Sequence, residues 1–162
     1  MTWVKILGLV AAGAVWVAPA GPTRAQEARI GGLADVNFGT IPGIADQSNS
    51  QNVVVCSYRN KPQGLGYAVI ASGTGSGGAF SLTAGAGTLP YDVQWADSAS
   101  QTGGRMLQAG VPASGFANAA NGFDCPAQPD TASLTVTIRA ADLASAQAGT
   151  YTGSLQLTIV PE

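Results

Sequence analysis

The chain lacks histidine entirely, and lysine occurs only at Lys5 and Lys61. Without histidine, neither a Ser-His-Asp nor a Cys-His catalytic arrangement can be built. The two thiols, at Cys56 and Cys125, are too few to complete a zinc site. No Ser-x-x-Lys motif occurs either. We therefore expect a protein that is not an enzyme and that uses no cofactor or metal.

Charged residues are also scarce, at 10% of the chain, with 7 basic and 9 acidic side chains. The basic residues are dispersed, so the sequence has no cationic patch of the kind that binds nucleic acid or an anionic membrane. The 22 glycines, together with many alanines, serines and threonines, favour short strands and loops over long amphipathic helices.

Only the N-terminus carries a long apolar run. Residues 6–18 follow Lys5, contain no charge, and precede a small-x-small site at Thr23-Arg24-Ala25. This pattern is typical of a secretory signal peptide over residues 1–25. The alternative, a membrane anchor, is disfavoured because a spanning helix needs about 20 apolar residues. We expect an exported chain that does not insert into a membrane after cleavage.

Export places Cys56 and Cys125 in an oxidising compartment, where two cysteines allow one internal pairing. The alternative is a catalytic or metal-binding thiol, which lacks partners in this sequence. A structural Cys56–Cys125 disulfide is therefore predicted.

Several segments alternate between apolar and polar residues with the period of a half-buried strand. The last segment, residues 149–162, places Tyr151, Leu155, Leu157 and Ile159 on one face, and nothing after it in the sequence could pair with its far side. Residues 33–41 are predicted to form the first strand, with Val36 and Phe38 on one face. Other strands are predicted at residues 53–59, 66–72, 80–83, 88–96, 105–108, 133–139 and 154–160, the first two of these as a hairpin.

The strand at residues 88–96 carries an aromatic pair, Tyr91 and Trp95, on its apolar face. The regular alternation favours core packing, and a ligand-stacking platform is the alternative.

Taken together, the predicted strands indicate a single domain over residues 33–162, preceded by a flexible lead-in over residues 26–32. The fold class is all-β, an immunoglobulin-like antiparallel β-sandwich with one disulfide.

Four motifs in order resemble the spore coat protein U domain family, which includes pilin subunits of the archaic chaperone–usher pathway. They are DVNFGTI at residues 35–41, VVVCS at residues 53–57, LPYDV at residues 89–93, and the closing GTY at residues 149–151 with the alternation that follows. The family often has a further cysteine near the first strand, which this chain lacks. The resemblance implies an immunoglobulin-like fold without its final strand.

In such pilins a periplasmic chaperone lends the missing strand, and a neighbouring subunit's N-terminal extension replaces it. The resemblance therefore implies a donor-strand groove formed by Tyr151, Leu155, Leu157, Ile159, Val36 and Phe38. The implied partners are a periplasmic chaperone, an outer-membrane usher and other pilus subunits. The implied location is the periplasm and then the cell surface.

The lead-in over residues 26–32 offers little apolar alternation beyond Ile30. We therefore expect the chain to accept a strand more readily than to donate one, as a terminal or minor subunit would. The function expected is that of a structural subunit in adhesion or biofilm assembly. The alternative is a self-complete secreted β-sandwich that binds a ligand, carbohydrate for example, through Tyr91 and Trp95.

Overall fold

The computed structural model describes residues 27–41, 47–60, 66–121, 125 and 130–162. The predicted signal peptide over residues 1–25 lies outside the described residues. Residues 42–46, 61–65, 122–124 and 126–129 also lie outside the described residues.

The larger of the two main sheets has five antiparallel strands. In spatial order they are β1 (Ala28–Gly31), β2 (Asn49–Arg59), β9 (Ala132–Ile138), β6 (Asp92–Ala96) and β7 (Arg105–Met106). The inward residues of β9 are Leu134, Val136 and Ile138, all at most 5% exposed, as expected for alternation in a well-covered sheet.

The facing sheet has three antiparallel strands, in the order β10 (Leu155–Pro161), β3 (Tyr67–Gly73) and β8 (Ala113–Phe116). A separate hairpin joins β4 (Ser81–Ala84) to β5 (Gly87–Pro90). One short helix, α1 (Ala140–Ser145), and a 3₁₀ turn at Ser76–Gly78 complete the described elements. The predicted antiparallel β-sandwich is confirmed.

An aromatic cluster fills the centre of the sandwich. The Trp95 ring is fully buried, and its indole N–H donates to the Tyr67 hydroxyl at 3.1 Å. Tyr67 and Trp95 meet edge to face, and Phe116 packs against both rings. Since Tyr67 and Phe116 belong to one sheet and Trp95 to the other, this cluster joins the two layers.

The predicted Cys56–Cys125 disulfide is confirmed, with 5.4 Å between the Cα atoms. Cys56 is buried, at 2% exposed, but does not belong to the core cluster between the sheets. Val55 faces the core instead, while Val54 is 36% exposed. The disulfide therefore joins the outer face of β2 to the segment that carries Cys125. Gly31 lies directly over this bridge, because a Cβ at Gly31 would fall 2.5 Å from the Cys125 Cβ.

Two predictions about the chain's course were wrong. The first strand is β1 within the predicted flexible lead-in, where Ala28 pairs with Arg59 and Gly31 with Cys56, whereas residues 33–41 form no strand. The predicted hairpin of residues 53–59 and 66–72 does not form, because β2 and β3 lie in different sheets. Each of these strands buries its apolar side against the facing sheet, and alternation alone does not indicate which sheet a strand joins.

The disulfide should contribute strongly to stability because it closes a loop with a sequence separation of 69. In the chain-entropy model, a disulfide that closes a loop of this length stabilises the folded state by about 4 kcal/mol. We expect the double variant C56S/C125S to lose about that much free energy of unfolding in urea titration. The wild-type protein treated with a reductant should have the same free energy of unfolding as the double variant. Equal stability of variant and wild type would contradict this.

Candidate strand-docking edge

Strand β10 is paired along only one of its two edges. Every residue from Leu155 to Pro161 is in register with β3, from Gly73 to Tyr67. On the other edge no strand pairs with β10 anywhere in the described part of the chain. An unpaired edge presents a row of backbone N–H and C=O groups to any extended chain that reaches it.

The side chains of β10 alternate as the sequence predicted, but their burial is incomplete. Leu155, Leu157 and Ile159 are only half-buried and pack against the core, while Gln156, Thr158 and Val160 are exposed. The inward residues of β9 are, by contrast, almost fully covered. The core is therefore open along β10.

Strand β1 of the larger sheet lies close to β10, and residues 33–41 follow β1 in the chain. Val36 and Phe38 are partly buried against the same core cluster, although neither lies in a strand. At Gly32 the chain turns away from β2 with a φ of 77°, a conformation that glycine adopts without strain. A cleft of about 390 Å³ then separates residues 32–37 from residues 51–54 of β2.

We use the name acceptor groove for the unpaired edge of β10 together with its partly buried Leu155, Leu157 and Ile159. Val36 and Phe38, which were also predicted for the groove, pack against the same core cluster. Among the described residues, the backbone of residues 33–41 makes one hydrogen bond, from the Gly39 N–H to the Asn37 side chain at 2.8 Å. Both β10 and residues 33–41 thus offer unpaired backbone beside partly buried apolar side chains.

Tyr151, the sixth residue predicted for the groove, lies beside the β4–β5 hairpin. Its hydroxyl donates to the Gln147 carbonyl at 3.0 Å and approaches Gly87. The next residue, Thr152, forms a two-way backbone bridge with Thr83. Tyr151 packs against the core at one end of the sandwich, ahead of the start of β10.

The structure places Tyr91 and Trp95 in the core, as the alternation favoured, and not at a ligand-stacking platform, which was the alternative. Tyr91 is 6% exposed and stacks on Phe80, and Trp95 is fully buried. A stacking platform needs an exposed ring face, which neither residue offers. Both rings pack in the core instead.

The opposite edge of the three-stranded sheet, at β8, is built differently. The register between β8 and β3 shifts between the Tyr67–Phe116 and Val69–Ala113 pairs, which leaves Ser114 and Gly115 in a bulge. Arg105 donates from its guanidinium to the Ser114 carbonyl, and the Gly115 N–H donates to the Glu162 carboxylate at 2.8 Å. The edge groups of this bulge are therefore occupied by charged side chains.

Two further contacts complete this cluster, which we call the β8 cap: Arg105, Glu162 and Asp97. The Arg105 guanidinium lies 4.1 Å from the centre of the Phe116 ring. The Ala117 N–H, just beyond β8, donates to the Asp97 carboxylate at 3.2 Å. Hydrogen bonds from Gly115 and then from Ser114 lower the pKa of Glu162, and the positive charges of Arg105 and Arg59 lower it further.

In the described part of the chain, the remaining carboxylates do not gather into a metal site. Asp92 is held by a two-point ion pair with Arg139, at 2.6 Å between Oδ1 and Nη2. No group of three potential metal ligands occurs within residues 27–41, 47–60, 66–121, 125 and 130–162. The helix of the described part, α1, is too short to cross a membrane.

The fold is similar to that of a chain from a solved chaperone–tip adhesin complex that acts in CFA/I fimbriae biogenesis, with a TM-score of 0.55 and 15% sequence identity. The match covers 83% of this chain and 42% of that chain, so this protein spans less than half of the matched chain's length. No family model matches the sequence, and no curated protein matches it. At this identity the comparison shows a shared fold.

The Glu162 carboxylate should make the stability of the sandwich depend on acid. Because its folded pKa lies below the unfolded value, its contribution is present above the unfolded pKa and is lost as the pH falls through the folded pKa. We expect the melting temperature of the wild type to fall more steeply than that of E162Q between about pH 5 and about pH 3. Identical pH profiles would contradict a stabilising role for this carboxylate.

Proposed function

We propose that this chain is an exported, non-enzymatic structural subunit of a chaperone–usher type pilus or surface assembly. A strand supplied by a partner inserts into the acceptor groove and completes the sandwich. The observation that carries the proposal is the edge of β10, which is unpaired along its length while its apolar side chains Leu155, Leu157 and Ile159 remain half-covered.

An added strand would pair the free backbone edge of β10 and cover its apolar side chains at the same time. The backbone of an extended segment would pair with β10, which supplies affinity independent of sequence. Its alternate side chains would point inward beside Leu155, Leu157 and Ile159, where they would cover the core. An apolar side chain buried fully in this way stabilises by about 1.5–3 kcal/mol.

The fold likeness to a chain of a fimbrial chaperone–tip adhesin complex supports this proposal. The four motifs that resemble the spore coat protein U domain family support it as well. The partners we propose are a periplasmic chaperone, an outer-membrane usher and other subunits. The subunit would pass through the periplasm and act at the cell surface, in adhesion or biofilm assembly. A chaperone is required on physical grounds, because an exposed apolar edge promotes aggregation until it is covered.

The position of β1 supports the role of acceptor over that of donor. The segment that would have to extend toward a neighbour is already paired with the chain's own β2 over Ala28–Gly31. Its main apolar residue, Ile30, packs against the chain's own core. We therefore propose a terminal or minor position in the assembly.

The groove can be tested with a synthetic peptide of seven residues, the length of β10, that alternates valine and threonine. We expect it to bind and to raise the melting temperature, whereas a peptide of the same composition with the valines contiguous should not. Binding measured by isothermal titration calorimetry should be saturable, and the heat capacity change should be negative because apolar surface is buried.

A matched pair of variants locates the binding site on β10. Leu157→Lys places a charge on the half-buried face and should weaken peptide binding by about tenfold or more, the equivalent of roughly 1.4 kcal/mol. Thr158→Lys places the same charge on the exposed face and should leave affinity within about twofold. A protein that melts cooperatively alone and gains nothing from the alternating peptide would instead be a self-complete binding module.

A further inference from the structure

We propose that the β8 cap closes the second edge of the three-stranded sheet, so that each subunit accepts one strand only. The inference builds on the proposed function by assigning a specificity role to Arg105, Glu162 and Asp97. The edge that they close, β8, is separated from the acceptor strand β10 by β3.

The bulge in β8 first removes the regular ladder that an incoming strand would need. Ser114 and Gly115 lie between the two register pairs, and Gly115 has a φ of 83°. Bulges of this kind re-aim backbone groups and end strand pairing. The Ser114 C=O and the Gly115 N–H are then available to other partners.

Those partners are charged side chains from outside the strand. Arg105 bonds the Ser114 carbonyl, Glu162 accepts from the Gly115 N–H, and Asp97 accepts from the Ala117 N–H. An added strand would have to displace at least the first two of these bonds. It would also have to move the Arg105 guanidinium from the face of Phe116.

The contrast with β10 shows that the two edges are built for different purposes. The outward residues of β10, Gln156, Thr158 and Val160, are uncharged and exposed. No side chain in the described ranges bonds to the backbone of β10. Charged side chains at an edge are a common device against unwanted strand pairing. Of the two edges of this sheet, β8 alone has its backbone bonded by charged side chains in the described ranges.

The three residues of the cap come from three separate places in the fold. Arg105 is in β7 of the larger sheet, Asp97 follows β6 of the same sheet, and Glu162 follows β10. The cap therefore forms only when both sheets have packed together. A folded subunit would present one open edge and one closed edge, which restricts an assembly to unbranched chains.

The test counts strand peptides bound per subunit, using the alternating valine–threonine peptide and native mass spectrometry. The wild type should bind one peptide. The double variant R105A/E162A, which removes one positive and one negative charge from the cap, should bind two. The matched control D92A/R139A removes an exposed ion pair elsewhere in the fold and should bind one.

The possible results separate this inference from the proposed function. If the double variant binds the same number of peptides as the wild type, the inference is overturned while the acceptor groove stands. If the wild type binds none and the double variant binds one, the groove proposal fails while the cap is supported. If R105A/E162A does not fold, the peptides can be counted on R105M instead. This variant keeps an apolar contact with Phe116 but has no hydrogen-bond donor for Ser114. One peptide more than the wild type supports the cap, and an equal count overturns it.

Discussion

The unpaired edge of β10 is the constraint on which the rest of this structure depends. Backbone N–H and C=O groups in a sheet must be paired or solvated, and an apolar face must be covered. β10 meets both requirements only on the side of β3. The other outer strands are short or capped: β1 and β7 of the larger sheet have four and two residues, and β8 is bulged and capped by charged side chains. Among these outer strands β10, with seven residues, is the longest.

The incomplete edge can persist because the remainder of the core is complete. β10 rests on β3, whose inward residues Tyr67, Val69 and Ala71 are fully buried. The aromatic contacts of Tyr67 with Trp95 join β3 to the larger sheet. A disulfide fixes β2 from the opposite face. The groove is therefore a local gap in a rigid scaffold, which is the condition under which a partner strand can bind without ordering the whole domain.

The sequence predicted those features that depend on local apolar–polar alternation or on the number of cysteines. The strands β9 and β10, the disulfide and the apolar face of β10 follow from period-2 patterns and from the two cysteines. Assignment of strands to sheets does not follow, because the same alternation suits either layer. The predicted strand at residues 88–96 illustrates this: Tyr91 divides it into β5, in the hairpin, and β6, in the larger sheet. Strand β8, within residues 97–130, was not predicted, because glycine and alanine give little apolar–polar alternation. The cap was missed because its charged side chains look like ordinary solvated loop residues until the fold brings them together.

The most direct test of the central claim is amide hydrogen exchange along β10, followed residue by residue by NMR without and with the strand peptide. In an antiparallel pair, alternate amides point toward the neighbour. The account predicts that in the free protein the β10 amides directed to β3 exchange slowly while those directed away exchange fast. The second set should become protected when the peptide binds. Uniform protection in the free protein, or a bound peptide that leaves the fast amides unchanged, would contradict it.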